Sequence, residues 1–183
     1  MSMPGLNRFA VPLITLAVLA LVLWVGIRHS ADVGTIASPL INKPAPQWEL
    51  PSLTDPNQRV GSKDLHGQWY VVNVWGTWCV ECRAEHDTLL EAQRSGVPII
   101  GIDWNDQDAD ALAWLAKLGN PYRMVGVDHD GHAAIDWGVY GAPETFLINP
   151  EGVVVFKHVG ALTPEVWHKD FAARVTPAPA GRS

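Results

Sequence analysis

Residues 69–75, Trp-Tyr-Val-Val-Asn-Val-Trp, form a near-continuous apolar and β-branched run, the pattern of a strand buried on both faces. The run stops at Gly76, and Trp78-Cys79-Val80-Glu81-Cys82 follows at once. Residues 79–94 are helix formers without an internal Gly or Pro, and Gly96 closes them. A buried strand that feeds directly into a helix commits the chain to an α/β architecture. It also puts both cysteines of the chain at the junction.

That junction has chemical consequences. Cys79 falls at a helix N-terminus, where unpaired N–H groups and the helix dipole stabilise an anion. A thiol there loses its proton more readily, and the thiolate is the attacking species. Cys82 lies one turn later on the same face, within reach of a disulfide to Cys79. Trp78 shields one side, so Cys79 is expected to attack and Cys82 to resolve the mixed disulfide. Rival readings are a structural disulfide, two unpaired core thiols, or a zinc site completed by His86. The zinc reading lacks a fourth ligand and a second C-x₂-C.

The rest of the chain continues the alternation. Residues 47–53 suggest a short edge strand, and residues 97–102 a buried strand. Residues 106–118 read as a helix, with Ala109, Leu112, Ala113 and Leu115 or Ala116 near its period. A third strand follows at 122–127 and a short helix at 132–137. Residues 145–149 and 153–158 flank Asn149-Pro150-Glu151-Gly152 and form an antiparallel hairpin. Thr163 as N-cap and Pro164 at the first helical position open a last helix to about residue 174. Alternation first and a hairpin last predict a mixed sheet with helices on both faces.

Residues 9–27 carry no charge and lie between Arg8 and Arg28. At about 1.5 Å per residue they reach roughly 28 Å, near the ~30 Å hydrocarbon core. The run exceeds the apolar region of a cleaved signal peptide, and His29-Ser30-Ala31 is a poor cleavage site. An uncleaved anchor is the expectation, with the N-terminus inside and the bulk of the chain in a compartment that permits disulfides. Nineteen acidic against thirteen basic residues give a net charge of −6, which argues against nucleic-acid binding.

Residues 71–86, Val-Val-Asn-Val-Trp-Gly-Thr-Trp-Cys-Val-Glu-Cys-Arg-Ala-Glu-His, resemble the thioredoxin superfamily. Residues 138–148, Gly-Val-Tyr-Gly-Ala-Pro-Glu-Thr-Phe-Leu-Ile, narrow the resemblance to the membrane-anchored thiol:disulfide interchange proteins of cytochrome c maturation, the DsbE/CcmG type. Gly119-Asn120-Pro121-Tyr122 and the turn at 128–131 match as well, and the similarity covers about residues 42–172. It implies an α/β, thioredoxin-like mixed sheet flanked by helices, with an insertion after the second strand and an N-terminal transmembrane helix. It implies reduction of disulfides in apocytochrome c or in a haem-ligation accessory protein, on the periplasmic side of a bacterial inner membrane. A membrane thiol reductase of the DsbD or CcdA type would supply electrons, and no cofactor beyond the Cys79–Cys82 pair is implied. A general thiol oxidant or isomerase, and a non-catalytic adaptor, are the alternatives.

By position in that resemblance, Cys79 is the nucleophile, Cys82 the resolving thiol and Pro143 the cis-proline facing the pair. The residues alone would make Ala142-Pro143 only a turn before a strand. Asn73 occupies the place of a buried acid and cannot ionise. Proton handling therefore falls to Glu85, one turn beyond Cys82, and Glu144, beside the proline loop. Trp78, Tyr140, Ala142 and Trp48 are candidates for a groove beside the thiols, whereas Trp75, Trp114 and Trp137 belong to the core. Gly76 and Val80-Glu81 depart from the family, and a Glu81 carboxylate would disfavour the Cys79 thiolate. Asp103, Asp106, Asp108 and Asp110 read as caps and a solvated face. Asp128-His129-Asp130-Gly131-His132 reads as a turn with its cap at Asp130 or Gly131. The expected division is a cytoplasmic N-terminus at 1–8, the anchor at 9–27, a linker at 28–46, the thioredoxin-like domain at 47–175 and a disordered tail at 176–183.

Overall fold

The computed structural model describes residues 7–30 and 38–175, with side chains from 10–25 and 38–175. The chain divides into two units, 1–36 and 37–183. In the first, helix α1 (Asn7–Ser30) contains the expected anchor segment. Its described side chains between Val11 and Val25 are exposed. Among the described residues, no helix is long and apolar enough to cross a membrane. The expected N-terminal segment lies largely, and the expected tail wholly, outside the described residues.

The second unit begins earlier than expected. Residues 38–46, read as linker, pack onto the domain: Asn42 N–H donates to Val154 O at 2.8 Å, Val154 N–H to Lys43 O at 3.0 Å and Ala45 N–H to Gly152 O at 2.8 Å. The expected edge strand shrinks to β1 (Glu49–Pro51), which pairs antiparallel with an unforeseen partner, β2 (Arg59–Gly61). Three residues are too few to show a period, so β2 left no signal in the sequence.

The main sheet has five strands: β3 (Tyr70–Trp75), β4 (Ile99–Trp104), β5 (Met124–Asp128), β6 (Glu144–Ile148) and β7 (Val154–Val159). Their order is β5-β4-β3-β6-β7, parallel from β3 to β5 and antiparallel across β6 and β7. Helix α2 (Val80–Gln93) joins β3 to β4, and α3 (Asp108–Leu118) joins β4 to β5. Right-handed crossovers that step in one direction put both helices on one face. Helix α4 (His132–Asp136) leads from β5 to the antiparallel β6, and Trp137 at its end packs on the opposite face.

The two faces hold separate cores. Val71, Trp75, Ile99 and Leu147 pack with Leu89 and Ala92 of α2 and Leu115 of α3. Val72, Val74, Ile100, Phe146 and Ile148 pack with Trp137 at the end of α4. The burial is that of an interior layer, each large side chain contributing about 1.5–3 kcal/mol. Helix α3 differs from the reading of its face. Ala111 and Leu115 are buried with Trp114 and Leu118 half-buried, while Ala109, Leu112, Ala113 and Ala116 are exposed. The last helix also differs. One α turn, α5 (Pro164–Val166), passes into a wide turn at Trp167–Phe171 and a tight one at Ala172–Arg174. Thr163 caps it as expected, its hydroxyl accepting from Val166 N–H at 3.3 Å.

Candidate active site around Cys79 and Cys82

Cys79 is the N-cap of α2, not its first helical residue, and is disulfide-bonded to Cys82 with Cα atoms 5.2 Å apart. Its sulfur accepts from Cys82 N–H at 3.0 Å. A side-chain acceptor at this position satisfies one of the orphan donors of the helix. The same donor and the dipole behind it hold negative charge when the sulfur is a thiolate. Trp78 is 51% exposed and Val80 84% exposed, so the pair is rimmed by apolar surface. Gly76 has a physical cause: a Cβ there would sit 2.5 Å from Trp78 Nε1. The indole folds back over the glycine and donates to Trp104 O at 3.1 Å.

Asp106, read as a helix cap, holds the loop that leads into the cysteines. Its carboxylate accepts from both Thr77 N–H and the Thr77 hydroxyl, the latter at 2.8 Å. Asp103 is not on a solvated face. It is fully buried on β4, and neither of its oxygens has a hydrogen-bond partner. Burial, and then the charges of Asp106 and Asp108, push it up to about 8.

Glu85 is fully buried, one turn beyond Cys82. Its Oε1 accepts from Asn73 Nδ2 at 2.9 Å and its Oε2 from Leu162 N–H at 2.8 Å. Asn73 Nδ2 also donates to Thr145 Oγ1 at 3.0 Å, and Asn73 Oδ1 accepts from the Tyr122 hydroxyl at 2.8 Å. Burial outweighs these bonds and pushes Glu85 up to about 7. Asn73 thus replaces an acid by positioning one that stands on the helix. His86 is buried too. Its Nδ1 accepts from Trp114 Nε1 at 3.3 Å, so the other nitrogen carries the proton towards Gly119 O at 3.0 Å. Burial pulls its pKa down, and it ties α2 to the end of α3.

The Ala142-Pro143 peptide bond is cis, and Ala142 O lies 3.3 Å from Cys79 Sγ. Tyr140 is 60% exposed in the same loop. Glu144 departs from the expectation. Thr145 bonds Asn73 on the α2 face, and pleating turns Glu144, its neighbour, to the other face. There it is fully buried, with Oε2 2.6 Å from Lys157 Nζ and Oε1 accepting from Tyr140 N–H at 3.2 Å. Glu144 is thus paired with Lys157 on the opposite face from Cys82, and the sequence reading singled out neither Lys157 nor the Tyr122 hydroxyl and gave Asp106 only as a cap. Trp48 packs in the core of the α4 face with Ala45 and Leu65, not beside the cysteines. At the turn after β5 Gly131 is the N-cap, as expected, and Asp130 Oδ1 accepts from His132 N–H at 3.3 Å, while the Asp128 carboxylate accepts from Ala133 N–H at 3.1 Å and Ala134 N–H at 2.8 Å.

The AhpC/TSA family pattern matches residues 41–157. The thiol:disulfide interchange protein DsbE of Allochromatium vinosum is 44% identical over 165 residues, covering 90% of each chain. The Escherichia coli K12 protein of the same name is 42% identical over 164 residues, covering 87% of this chain and 89% of the relative. Among solved structures, a thiol:disulfide interchange protein of the thioredoxin family from Chlorobium tepidum TLS superposes with a TM-score of 0.56 at 27% identity. That match covers 66% of this chain and 88% of the other.

Proposed function

Because the chain belongs to the DsbE-type thiol:disulfide interchange proteins, within the thioredoxin-like AhpC/TSA family, we propose that it is a reductant of polypeptide disulfides in cytochrome c maturation. The substrate is the disulfide of the haem-attachment Cys-x-x-Cys-His segment of apocytochrome c, or of an accessory protein that delivers it. The domain works in the periplasm, held to a bacterial inner membrane by residues 9–27. A membrane thiol reductase of the DsbD or CcdA type restores the dithiol. The exposed apolar side chains of α1 support the anchor, and the paired sulfurs serve without a further cofactor.

The chemistry follows from the site. The Cys79 thiolate attacks one sulfur of the substrate disulfide, that bond breaks, and the departing substrate thiolate takes a proton. Cys82 gives its proton to the Glu85 carboxylate and attacks Cys79 Sγ. The second substrate thiol leaves, and the Cys79–Cys82 disulfide remains. Two electrons have passed to the substrate, and the donor returns two to the protein. Glu85 is fully buried, which keeps the resolving proton local.

The observation that carries this reading is the Cys79 sulfur, which caps α2 and faces the Ala142 carbonyl at 3.3 Å. The test is a Cys82→Ala variant in cells, with the mixed disulfides at Cys79 isolated and identified. Recovery of apocytochrome c or a haem-ligation factor is the expected result. Recovery of neither, or full cytochrome c maturation by a Cys79→Ser variant, overturns the reading and favours a non-catalytic holder.

A further inference from the structure

Lys157 lies on β7 opposite Phe146, with its side chain 5% exposed. The contacts of its ammonium fall on the stretch that runs from the end of α4 past the cis-proline into β6. Nζ is 2.6 Å from Glu144 Oε2 and donates to Gly138 O at 3.0 Å. It also stands 5.2 Å from the Tyr140 ring centroid and 5.1 Å from that of Phe146, within cation–π range. Glu144 in turn accepts from Tyr140 N–H at 3.2 Å. One buried cation therefore anchors both ends of the 138–144 segment and the underside of its exposed ring. A second tie comes from Gly160 N–H, which donates to Pro143 O at 2.9 Å.

We propose that Lys157 is a positioning residue for exchange with polypeptide disulfides, fixing Tyr140 and the Ala142 backbone as a rigid docking edge beside Cys79. This rests on the exchange chemistry proposed above. The geometry separates docking from chemistry. Cys82, Glu85 and Asn73 lie on the α2 face, whereas Lys157 and Glu144 lie on the α4 face. Loss of the ammonium leaves Glu144 buried and unpaired, and the segment must open to hydrate it. The docking edge is then lost while the sulfurs stay in place. Preorganisation of this kind acts on polypeptide binding, because a small disulfide needs no docking edge.

The test compares full-length Lys157→Met, Lys157→Arg and the double variant Lys157→Met/Glu144→Gln, each reduced beforehand and followed through a single turnover against excess disulfide, so that KM and kcat are the half-saturating concentration and limiting rate of that turnover. The probes are a synthetic peptide closed by a Cys-x-x-Cys disulfide and the small aromatic disulfide 5,5′-dithiobis(2-nitrobenzoate). Lys157→Met is expected to raise the peptide KM about tenfold with kcat within about twofold, and to leave the small-disulfide rate within about twofold. Lys157→Arg keeps the charge and holds the peptide KM near wild type, and the double variant recovers most of the loss because no charge is left unpaired. The proposal is overturned if Lys157→Met leaves the peptide KM unchanged, if both probes slow equally, or if neither companion variant recovers it. Failure of the underlying reading looks different: the wild-type protein would leave the peptide disulfide intact.

Discussion

Asn73 Nδ2 donates to Glu85 Oε1 at 2.9 Å, across the gap between the central strand and the helix that carries the cysteines. Through this bond a neutral strand residue orients a buried helix carboxyl one turn from Cys82. Both groups are wholly inaccessible, so in the exchange proposed above the carboxyl that takes the Cys82 proton is one shielded from bulk water.

Burial lifts Glu85 to about 7, so it is a carboxylate above that pH and an acid below it. It accepts the Cys82 proton only when ionised. Resolution of the mixed disulfide should therefore speed up as pH rises through about 7 and then level off. Glu85→Gln should slow resolution on the order of 10²-fold and abolish the inflection. Single-turnover decay of a preformed mixed disulfide from pH 5.5 to 8.5 checks this; an inflection that survives in Glu85→Gln contradicts it.

Asp103 gives a stability signature. Its folded pKa is about 8, against about 3.9 in an unfolded chain. Between those values the unfolded chain has released the proton and the folded protein keeps it. Stability must then fall as pH rises from about 4 to about 8, and flatten beyond. Asp103→Asn removes the ionisation and should gain a few kcal/mol at pH 8 but little at pH 4. Urea midpoints at the two pH values measure the difference; equal gains at both would refute the assignment.

The carboxylate of Asp106 is a strap on the loop before the cysteines, through Thr77 N–H and the Thr77 hydroxyl. Asp106→Ala leaves both donors without it, and a loss of about 1–3 kcal/mol is expected. Alkylation of Cys79 in the reduced variant should also change rate, because Thr77 and the N-cap are two residues apart. A stable variant with wild-type alkylation would mean that the strap is dispensable.

Trp78 packs edge-to-face against Trp104 at 5.7 Å yet remains half exposed. Trp78→Ala should cost under about 1.5 kcal/mol of stability while raising the KM for a disulfide-bonded peptide several-fold. Calorimetry and peptide kinetics on one preparation separate the two effects. Loss of stability without a change in KM would assign the indole to packing alone.

Much of this site was legible because its signals are local. The step from an unbroken apolar strand to a helix fixes where Cys79 and Cys82 stand, and three-residue spacing brings Glu85 to the face of Cys82. The family resemblance supplied the cis bond at Pro143, which the residues alone read as a turn. What stayed hidden depends on contacts far apart in sequence. Asp106 meets Thr77 across 29 positions and Tyr122 meets Asn73 across 49. The side of the sheet that Glu144 faces is set by strand parity, and a shift of one residue would have reversed it. Asp103 departs from the rule that buried polar groups find hydrogen-bond partners, so a pattern-based reading sends it to solvent.

The proposed exchange requires Cys79 to be the reactive sulfur and Cys82 the guarded one. Alkylation of the fully reduced full-length protein by iodoacetamide at pH 7, with each site resolved by mass spectrometry, measures this directly. Modification of Cys79 at least about tenfold faster than Cys82 is the predicted result, since the thiolate is the species that reacts and the helix N-terminus favours it. Equal slow modification of both, or faster modification of Cys82, would contradict the account.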